Sequence, residues 1–364
     1  MVRQNTAKVF HLFWRAMLAP ARGVALSYGR RASSGAENRM GMLVDGRWTD
    51  DDLAAQTRSD GSFRRPDSAF RDRVTRDGAS GFKAEPGRYH LVTAPSCPWA
   101  HRTVMMRKLK RLESVISILE SDRPKQQGWA FSRGFDDLAP IDGSFHVHQV
   151  YSAARPIYTG RATVPVLWDS KTRTIVNNES SEIIRMLNDA FDDFGDASVD
   201  LYPAALRAEI DAVNGWVYDA VNNGVYRCGL ANSQAAYEDS VAKLFAGLDR
   251  LERILAEHRW LVGDRFTEAD LRLFPTLARF DAVYFGHFKC NLRRLADYHH
   301  LSSYLREIYQ MPGIAETVDL ARIKAGYYQG MRQINPTGII PVGPAGAVVD
   351  FAAPHDRARL PERR

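Results

Sequence analysis

The chain has 364 residues, of which 45% are hydrophobic and 25% are charged, a composition typical of a folded protein with room for two domains. Its three widely separated cysteines argue against a disulfide scaffold and against zinc-ligand spacing, so we predict no bound metal and favour a reducing, cytoplasmic compartment. No run reaches the roughly 18 apolar residues that a membrane-spanning helix needs.

The formal net charge of +6 lies in the first 36 residues, which contain six Lys or Arg and no Asp or Glu. The rest of the chain is formally neutral, which argues against a nucleic acid as its partner. We interpret residues 1–39 as a basic extension. An Arg-bearing, acid-free segment is typical of an organelle-targeting peptide, and a misassigned start codon would produce a similar one.

The next part of the chain predicts an arm followed by a strand–helix–strand unit. Residues 40–88 are polar, rich in Gly and Arg, and predict an irregular N-terminal arm. A strand at 89–93, a helix at 98–112 and a strand at 114–119 come next, an order that favours parallel pairing of the two strands. The elements predicted after these are a hairpin with strands at 164–168 and 174–176 and a helix at about 179–192.

Apolar residues at a spacing of three and four predict that the second half of the chain is helical. Thr267 and Asp270 have the spacing of a capping box, a signal for a helix start. Residues 331–364 are rich in Pro and Gly and predict an extended tail. The predicted helices are 203–222, 235–259, 267–284 and 300–330.

Cys97 is the strongest candidate for chemistry. It follows the first strand, and Pro98 suits the first position of the next helix. The helix N-terminus favours the thiolate, which is the nucleophilic form of cysteine. Ala100 occupies the position of the second cysteine in a two-cysteine redox motif, so a mixed disulfide on Cys97 needs an external thiol to resolve it. The alternative, a small buried apolar residue, is retained for Cys228 and Cys290.

Two further segments predict a binding site for a small thiol with an amino-acid end. A cis bond between Val164 and Pro165 would turn the Val164 backbone toward Cys97, although an ordinary trans proline at a strand start is the alternative. At the start of the next helix, Ser180 can bind a carboxylate and Glu179 can accept a hydrogen bond from an ammonium group. Simple helix capping is the alternative there.

Five segments together resemble the glutathionyl-hydroquinone reductases, the xi class of glutathione transferases, from about residue 42 to about residue 344. The resemblance implies an α/β plus all-α fold, with an N-terminal thioredoxin-like domain at 89–195 and an all-helical glutathione-transferase domain at 200–330. It also implies a homodimer. The matching segments are 96–102 (SCPWAHR), 161–169 (RATVPVLWD), 178–185 (NESSEIIR), 221–226 (VNNGVY) and 335–338 (NPTG).

The same resemblance implies the roles of individual residues. Cys97 matches the nucleophile of the family, Tyr226 its proton-transfer tyrosine, and Tyr284 and Tyr327 the tyrosines near the reactive thiol, with Tyr328 as an alternative to Tyr327. The residues that match the glutathione site are Trp129, Arg161, Ala162, Thr163, Val164, Glu179 and Ser180.

The implied reaction is the reduction of a glutathionyl-hydroquinone, with glutathione as co-substrate and no permanently bound cofactor. Cys97 would take the glutathionyl group as a mixed disulfide, and a second glutathione would release oxidised glutathione. A general Cys-type thiol transferase or dehydroascorbate reductase is one alternative, and a non-enzymatic binding protein of the same fold is another. The three tyrosines favour an aromatic substrate.

We expect a chain that begins at Met40 to fold and to retain full activity, because no residue assigned to chemistry precedes Tyr89. Turnover and solubility of the shortened and full chains, compared side by side, test this expectation. Aggregation of the shortened chain, or loss of most of its turnover, would show that the extension is needed by the folded protein.

Overall fold

The computed structural model describes residues 41–50, 57–125, 127–131, 145–343 and 349–361; the basic extension predicted at 1–39 lies outside them. The strands are β1 (Met42–Val44), β2 (Arg47–Thr49), β3 (Val74–Thr75), β4 (Phe82–Lys83), β5 (Tyr89–Thr93), β6 (Ser117–Lys125), β7 (Gly128–Phe131), β8 (Val166–Asp169) and β9 (Thr174–Asn177). The helices are α1 (Pro98–Leu109), α2 (Val147–Ala154), α3 (Ser180–Asp189), α4 (Arg207–Val217), α5 (Gly224–Gly229), α6 (Gln234–Glu257), α7 (Glu268–Arg279), α8 (Phe285–His287), α9 (His299–Gln310) and α10 (Leu320–Gly330).

A five-stranded sheet in the order β7-β6-β5-β8-β9 carries the N-terminal half. The predicted parallel pairing of the first two strands is confirmed, with Leu91 opposite Ile118, and β8 and β9 form the predicted antiparallel hairpin. Helix α1 ends three residues earlier than predicted, because Arg111 has a φ of 53°, which a right-handed helix does not allow.

The two faces of this sheet bury different sets of side chains, because neighbouring strand residues point in opposite directions. Leu91 packs into a large core that continues into the helices of the second half. Val92 packs into a second cluster that contains Cys97 and Trp99. Cys97 therefore belongs to an apolar cluster that is separate from the main core.

The arm contains short strands that the sequence did not predict, since each is only two or three residues long. Strands β1 and β2 pair antiparallel, and β3 and β4 pair parallel. Ion pairs between exposed side chains connect the arm to α3 and to the chain just beyond it. The backbone N–H of Phe70 connects the arm to the turn before α3, because it donates to Asn178 Oδ1 at 3.0 Å. The ion pairs are Arg71 with Glu182, Arg73 with Asp189, and Arg76 with Asp193.

The helices of the second half are broken where long single helices were predicted. Residues 203–222 contain α4 and then a π-helical turn (Tyr218–Asn222), and α7 is likewise followed by a π-helical turn (Phe280–Tyr284). The segment 300–330 divides into α9 and α10 because Pro312 and Gly313, whose φ is 81°, interrupt it. Turns of the π type are frequent at functional sites, and both of these adjoin candidate catalytic tyrosines.

The predicted start of α7 is confirmed, and the C-terminal tail packs against the helical half. Thr267 and Asp270 form the predicted capping box. Phe351 is buried, and the fully buried Arg357 donates hydrogen bonds to three backbone carbonyls of the helical half. Within the described residues, no helix combines the length and apolar character required to cross a membrane.

Candidate active site

Cys97 occupies the N-cap of α1. Its backbone is extended (φ −77°, ψ 117°), and Pro98 takes the first helical position as predicted. The Sγ atom accepts a hydrogen bond from the backbone N–H of Ala100 at 3.4 Å and donates to the carbonyl oxygen of Val164 at 3.3 Å. Only 8% of the residue is exposed. The sulfur is thus held between a helix N-terminus and the segment before Pro165.

The peptide bond between Val164 and Pro165 is cis, as predicted. The segment that precedes it is held by Tyr151, whose hydroxyl donates to the carbonyl of Thr163 at 2.9 Å and accepts from the Thr163 N–H at 3.2 Å. Asn178 donates to the same hydroxyl at 2.9 Å. Tyr151 therefore connects the strand start that faces Cys97 with the turn before α3, a role that the sequence did not reveal.

The helix N-terminus predicted that Cys97 would favour the thiolate form, but its surroundings in the structure favour the thiol. Burial raises the pKa of Cys97 above its ordinary value. The Ala100 N–H and the cationic side chains of Arg65 and Arg279 act in the opposite direction but do not outweigh burial. The groups that stabilise a thiolate are therefore in place, while the buried site itself favours the neutral thiol.

Glu179 and Ser180 stand at the start of α3, where the sequence placed an amino-acid-binding pair. Glu179 is the N-cap, and its carboxylate accepts from the N–H and hydroxyl of Ser181 at 3.1 and 2.9 Å and from the hydroxyl of Ser68 at 3.0 Å. Burial opposes the charged form, but these hydrogen bonds hold the pKa of Glu179 below its ordinary value. Ser180 is buried and accepts from Arg102 Nη1 at 3.4 Å. Glu179 therefore both caps the helix and presents an anion.

The other predicted glutathione residues line the same region. Trp129 lies on β7 and packs, half-buried, against the cluster that contains Cys97, as does Ala162. Trp48 of the arm supports β7, because a Cβ at Gly128 would lie only 2.9 Å from its ring. Arg161 is half-buried, and its carbonyl accepts from the Tyr158 hydroxyl at 3.2 Å.

Three tyrosines from different helical segments meet through their hydroxyls. Tyr226 and Tyr327 are 2.6 Å apart at their hydroxyl oxygens, and Tyr284 and Tyr327 are 2.9 Å apart. Burial raises the pKa of Tyr226 to about 12, so its phenol is protonated at neutral pH. The ring of Tyr328 instead lies 4.6 Å from that of His287. The geometry favours Tyr327 over Tyr328 as the third member of this tyrosine cluster.

Trp99 connects the tyrosine cluster with the helix of Cys97. Its ring is stacked with that of Tyr226, with 6.2 Å between centroids. The guanidinium carbon of Arg65, from the arm, lies 4.3 Å from the Trp99 ring centroid and 5.7 Å from that of Tyr226. Arg65 could not be predicted as a site residue, because the arm lacks periodicity and Arg65 is far from Trp99 in the chain.

Arg102 joins the two halves of the molecule beside the site. It is buried on α1, and its guanidinium donates to Asn222 Oδ1 at 3.1 Å and to the carbonyl of Arg272 at 3.1 and 3.2 Å. Arg102 thus links Ser180 to the helical half. Across the described ranges, no group of three or more His, Cys, Asp and Glu side chains has an arrangement that could hold a metal ion.

Comparisons with known proteins agree with this architecture. Residues 96–190 match the family model "Glutathione S-transferase, N-terminal domain", and residues 234–307 match "Glutathione S-transferase, C-terminal domain". The fold is therefore that of a glutathione transferase, and the predicted combination of a thioredoxin-like domain with an all-helical domain is confirmed.

Individual relatives identify the class within this superfamily. The chain is 50% identical to the glutathionyl-hydroquinone reductase YqjG of Escherichia coli over 327 residues, which cover 87% of this chain and 98% of the relative. It is 52% identical to the glutathionyl-hydroquinone reductase PcpF of Sphingobium chlorophenolicum over 309 residues, covering 84% and 97%. The chain belongs to the glutathionyl-hydroquinone reductases, the xi class of glutathione transferases, as the sequence motifs predicted.

Solved structures of relatives show the same fold. The glutathione-bound structure of E. coli YqjG has a TM-score of 0.78 at 48% identity and covers 87% of this chain and 99% of its own. A xi-class glutathione transferase from Natrialba magadii has a TM-score of 0.81 at 42% identity, covering 89% and 98%.

Proposed function

We propose that this protein reduces glutathionyl-hydroquinones to hydroquinones with glutathione as the co-substrate, and that Cys97 is the nucleophile. The observation that carries the proposal is the position of Cys97 Sγ at a helix N-terminus, 3.3 Å from the Val164 carbonyl. The names of the relatives YqjG and PcpF support the same activity.

In the first half-reaction the Cys97 thiolate attacks the sulfur of the glutathionyl group. A bond forms between the two sulfurs, the carbon–sulfur bond breaks, and its electron pair moves to the ring carbon. That carbon takes a proton, and Tyr226 is the proposed donor because its phenol remains protonated at neutral pH. The products are the hydroquinone and a mixed disulfide of Cys97 with glutathione.

In the second half-reaction a glutathione thiolate attacks the glutathione sulfur of the mixed disulfide. Oxidised glutathione leaves, and Cys97 returns as a thiolate. The balance is one glutathionyl-hydroquinone and one glutathione consumed for one hydroquinone and one oxidised glutathione. Ala100 suits this route, since no neighbouring cysteine at that position competes with the incoming glutathione.

The glutathione that occupies the site is proposed to contact residues on both sides of Cys97. The backbone of Val164 lies beside the thiol, while Glu179 and Ser180 lie at the start of α3, where the helix dipole attracts a carboxylate. The rest of the proposed glutathione site consists of Trp129, Arg161, Ala162 and Thr163. The glutathione-bound structure of YqjG supports binding of this ligand by the fold.

One assay separates this function from the alternatives. The protein is incubated with glutathione and a glutathionyl-hydroquinone, and free hydroquinone is measured, with a parallel incubation that contains dehydroascorbate. Release of hydroquinone at a rate far above the dehydroascorbate rate supports the proposal. A preference for dehydroascorbate would instead indicate a general thiol transferase, and no turnover of either would indicate a binding protein.

Replacing Glu179 or Ser180 with Ala is expected to weaken glutathione binding about tenfold, because each loses a charged or hydrogen-bonding contact of about 1–2 kcal/mol. Turnover at saturating glutathione should change little, since these contacts are equal in the ground and transition states. Calorimetric titration with glutathione, together with steady-state kinetics, measures both quantities.

Glu179→Gln is the matched control for helix capping, because it retains an oxygen that can accept from Ser181. It should lower affinity for glutathione while the melting temperature stays closer to that of the wild type than that of Glu179→Ala. Unchanged affinity with a collapsed turnover number would mean that the pair acts in the chemistry and not in binding.

The proposal also covers the cellular compartment and the oligomeric state of the protein. A monothiol cycle needs reduced glutathione, which favours a reducing compartment such as the cytoplasm; a targeting role for residues 1–39 would place it in an organelle. The resemblance to the xi class further supports a homodimer. Light scattering of the purified protein would test the dimer, and a monomer at micromolar concentration would contradict it.

A further inference from the structure

Arg279, the last residue of α7, reaches from the helical half to the chain segment immediately before Cys97. Its side chain is fully buried, with 0% exposed. Nε donates to the carbonyl of Ser96 at 3.0 Å, and Nη2 donates to the carbonyl of Pro95 at 2.8 Å. Nη1 donates to the carbonyl of Pro275 at 2.8 Å and to His101 Nδ1 at 3.0 Å.

Every one of these acceptors is uncharged. The Thr317 hydroxyl donates to the carbonyl of Ile314 at 2.6 Å, so its oxygen accepts from His101 Nε2, 2.8 Å away. The proton of His101 is therefore on Nε2, which leaves Nδ1 free to accept from Arg279. Burial, followed by the charge of Arg279, holds the pKa of His101 well below its ordinary value, so the ring is neutral.

Arg279 also lacks a carboxylate partner in the part of the chain that the structure describes, since no Asp or Glu oxygen there lies within 4.0 Å of its guanidinium. Arg88 differs, because its buried guanidinium is paired with the carboxylate of Asp169 at 2.7 and 2.9 Å. A buried charge without a counter-ion is costly and is retained where it acts on other groups.

The groups on which this charge acts are those of the candidate active site. Burial raises the pKa of four groups there, and the charge of Arg279 acts in the opposite direction on each of them. These groups are Cys97, Tyr226, Tyr284 and Tyr327. Arg65, from the arm, is a second cation that lowers the pKa of Cys97. The remaining partner of Arg279, His101, is neutral.

We propose that Arg279 is a positioning residue with two effects on Cys97. It holds the Pro95–Ser96 segment against α7, and its positive charge, which has no carboxylate partner among the described residues, stabilises the Cys97 thiolate. The inference rests on the proposed function only in treating Cys97 as the reactive thiol. Arg279 does not touch the substrate in this scheme; it acts through the loop carbonyls and through its electric field.

The test measures the ionisation of Cys97 without turnover. Full-length wild-type, Arg279→Gln and Arg279→Lys proteins are alkylated with iodoacetamide between pH 6 and pH 10, and the modified Cys97 peptide is quantified by mass spectrometry. Arg279→Gln removes the charge, so the alkylation profile should move about one pH unit higher, and the rate at neutral pH should fall about tenfold. Arg279→Lys keeps the charge and should leave the profile within a few tenths of a unit of the wild type.

Arg357→Gln is the matched control, because Arg357 is also fully buried and donates to backbone carbonyls, but these belong to residues 255–259 of the helical half and not to the segment before Cys97. It should lower the melting temperature without moving the profile. A wild-type profile in Arg279→Gln, or an equal upward shift in Arg279→Lys, would overturn the proposed role of the charge.

If Arg279→Gln fails to fold, the Arg279→Lys variant provides the test. An alkylation profile at the wild-type position supports the proposal, and an upward shift of about one pH unit contradicts it. Since alkylation needs neither glutathione nor a hydroquinone, failure of the proposed reaction would be seen separately, as a wild-type protein with a reactive Cys97 and no turnover.

Discussion

The Cys97→Ala variant is expected to lose hydroquinone release by at least about 10³-fold while it retains the fold. The reason is that the other two cysteines, Cys228 and Cys290, are buried in the main core and not in the cluster that contains Cys97, and Ala100 offers no substitute. The cost in stability should be about 1–2 kcal/mol, because the variant loses the cap hydrogen bond from Ala100 and the hydrogen bond to the Val164 carbonyl. Turnover of a glutathionyl-hydroquinone and the thermal unfolding midpoint, measured on the same preparation, check both expectations.

Two further variants make this result specific. Cys97→Ser keeps a good N-cap, so it should be as stable as the wild type, yet it should be nearly inactive because a serine alkoxide is inaccessible near neutral pH without a strong base. Cys228→Ala should lose some stability from the cavity but keep the turnover number. Undiminished turnover in Cys97→Ala would show that the proposed nucleophile is wrong.

Tyr226→Phe is expected to slow release of the hydroquinone by about 10²-fold, the lower range for loss of a general acid. The ring and its packing against Trp99 remain, and only the hydroxyl that meets Tyr327 is lost. Reduction of the mixed disulfide by glutathione should proceed at the wild-type rate, because that step protonates no carbon. A single-turnover experiment without free glutathione isolates the first half-reaction, and adding glutathione afterwards measures the second.

Tyr328→Phe is the matched control, since Tyr328 neighbours Tyr327 in the chain but its ring packs on His287. Its two half-reactions should both keep the wild-type rate. Equal slowing of both half-reactions in Tyr226→Phe would point to a general effect on the Cys97 thiol and away from proton transfer. A large loss in Tyr328→Phe would reverse the choice between the two neighbouring tyrosines.

The tyrosine cluster would also stabilise Tyr226 after it has given up its proton. Its hydroxyl contacts Tyr327, which in turn contacts Tyr284, and burial raises the pKa of all three. A tyrosinate formed at Tyr226 would therefore be stabilised by a hydrogen bond from Tyr327 until it is reprotonated. This arrangement needs the helical half of the chain, while the proposed nucleophile lies in the half that contains the sheet.

Much of the local structure could be predicted because it depends on neighbouring residues. The strand at 89–93, its parallel partner, the hairpin and the capping box at Thr267 are set by apolar patterning, by turns and by side chains three positions apart. Cys97 was identified in the same way, from Pro98 and the helix that follows it. The long helices were predicted less well, because two π-helical turns and the break at Gly313 leave no sign in apolar spacing.

The sequence by itself therefore determined the family, the thioredoxin-like and helical parts, and the residue types that the chemistry needs, because these are encoded in short motifs. Only the tertiary structure decided how those residues act on one another. It showed that the Tyr327 hydroxyl contacts those of Tyr226 and Tyr284, and that the Arg65 guanidinium lies over the Trp99 ring. It also showed that Arg279 donates hydrogen bonds to the segment before Cys97. It also showed that burial raises the pKa of Cys97 against the effect of the helix N-terminus, since desolvation depends on everything that packs around the sulfur and not on its neighbours in the chain.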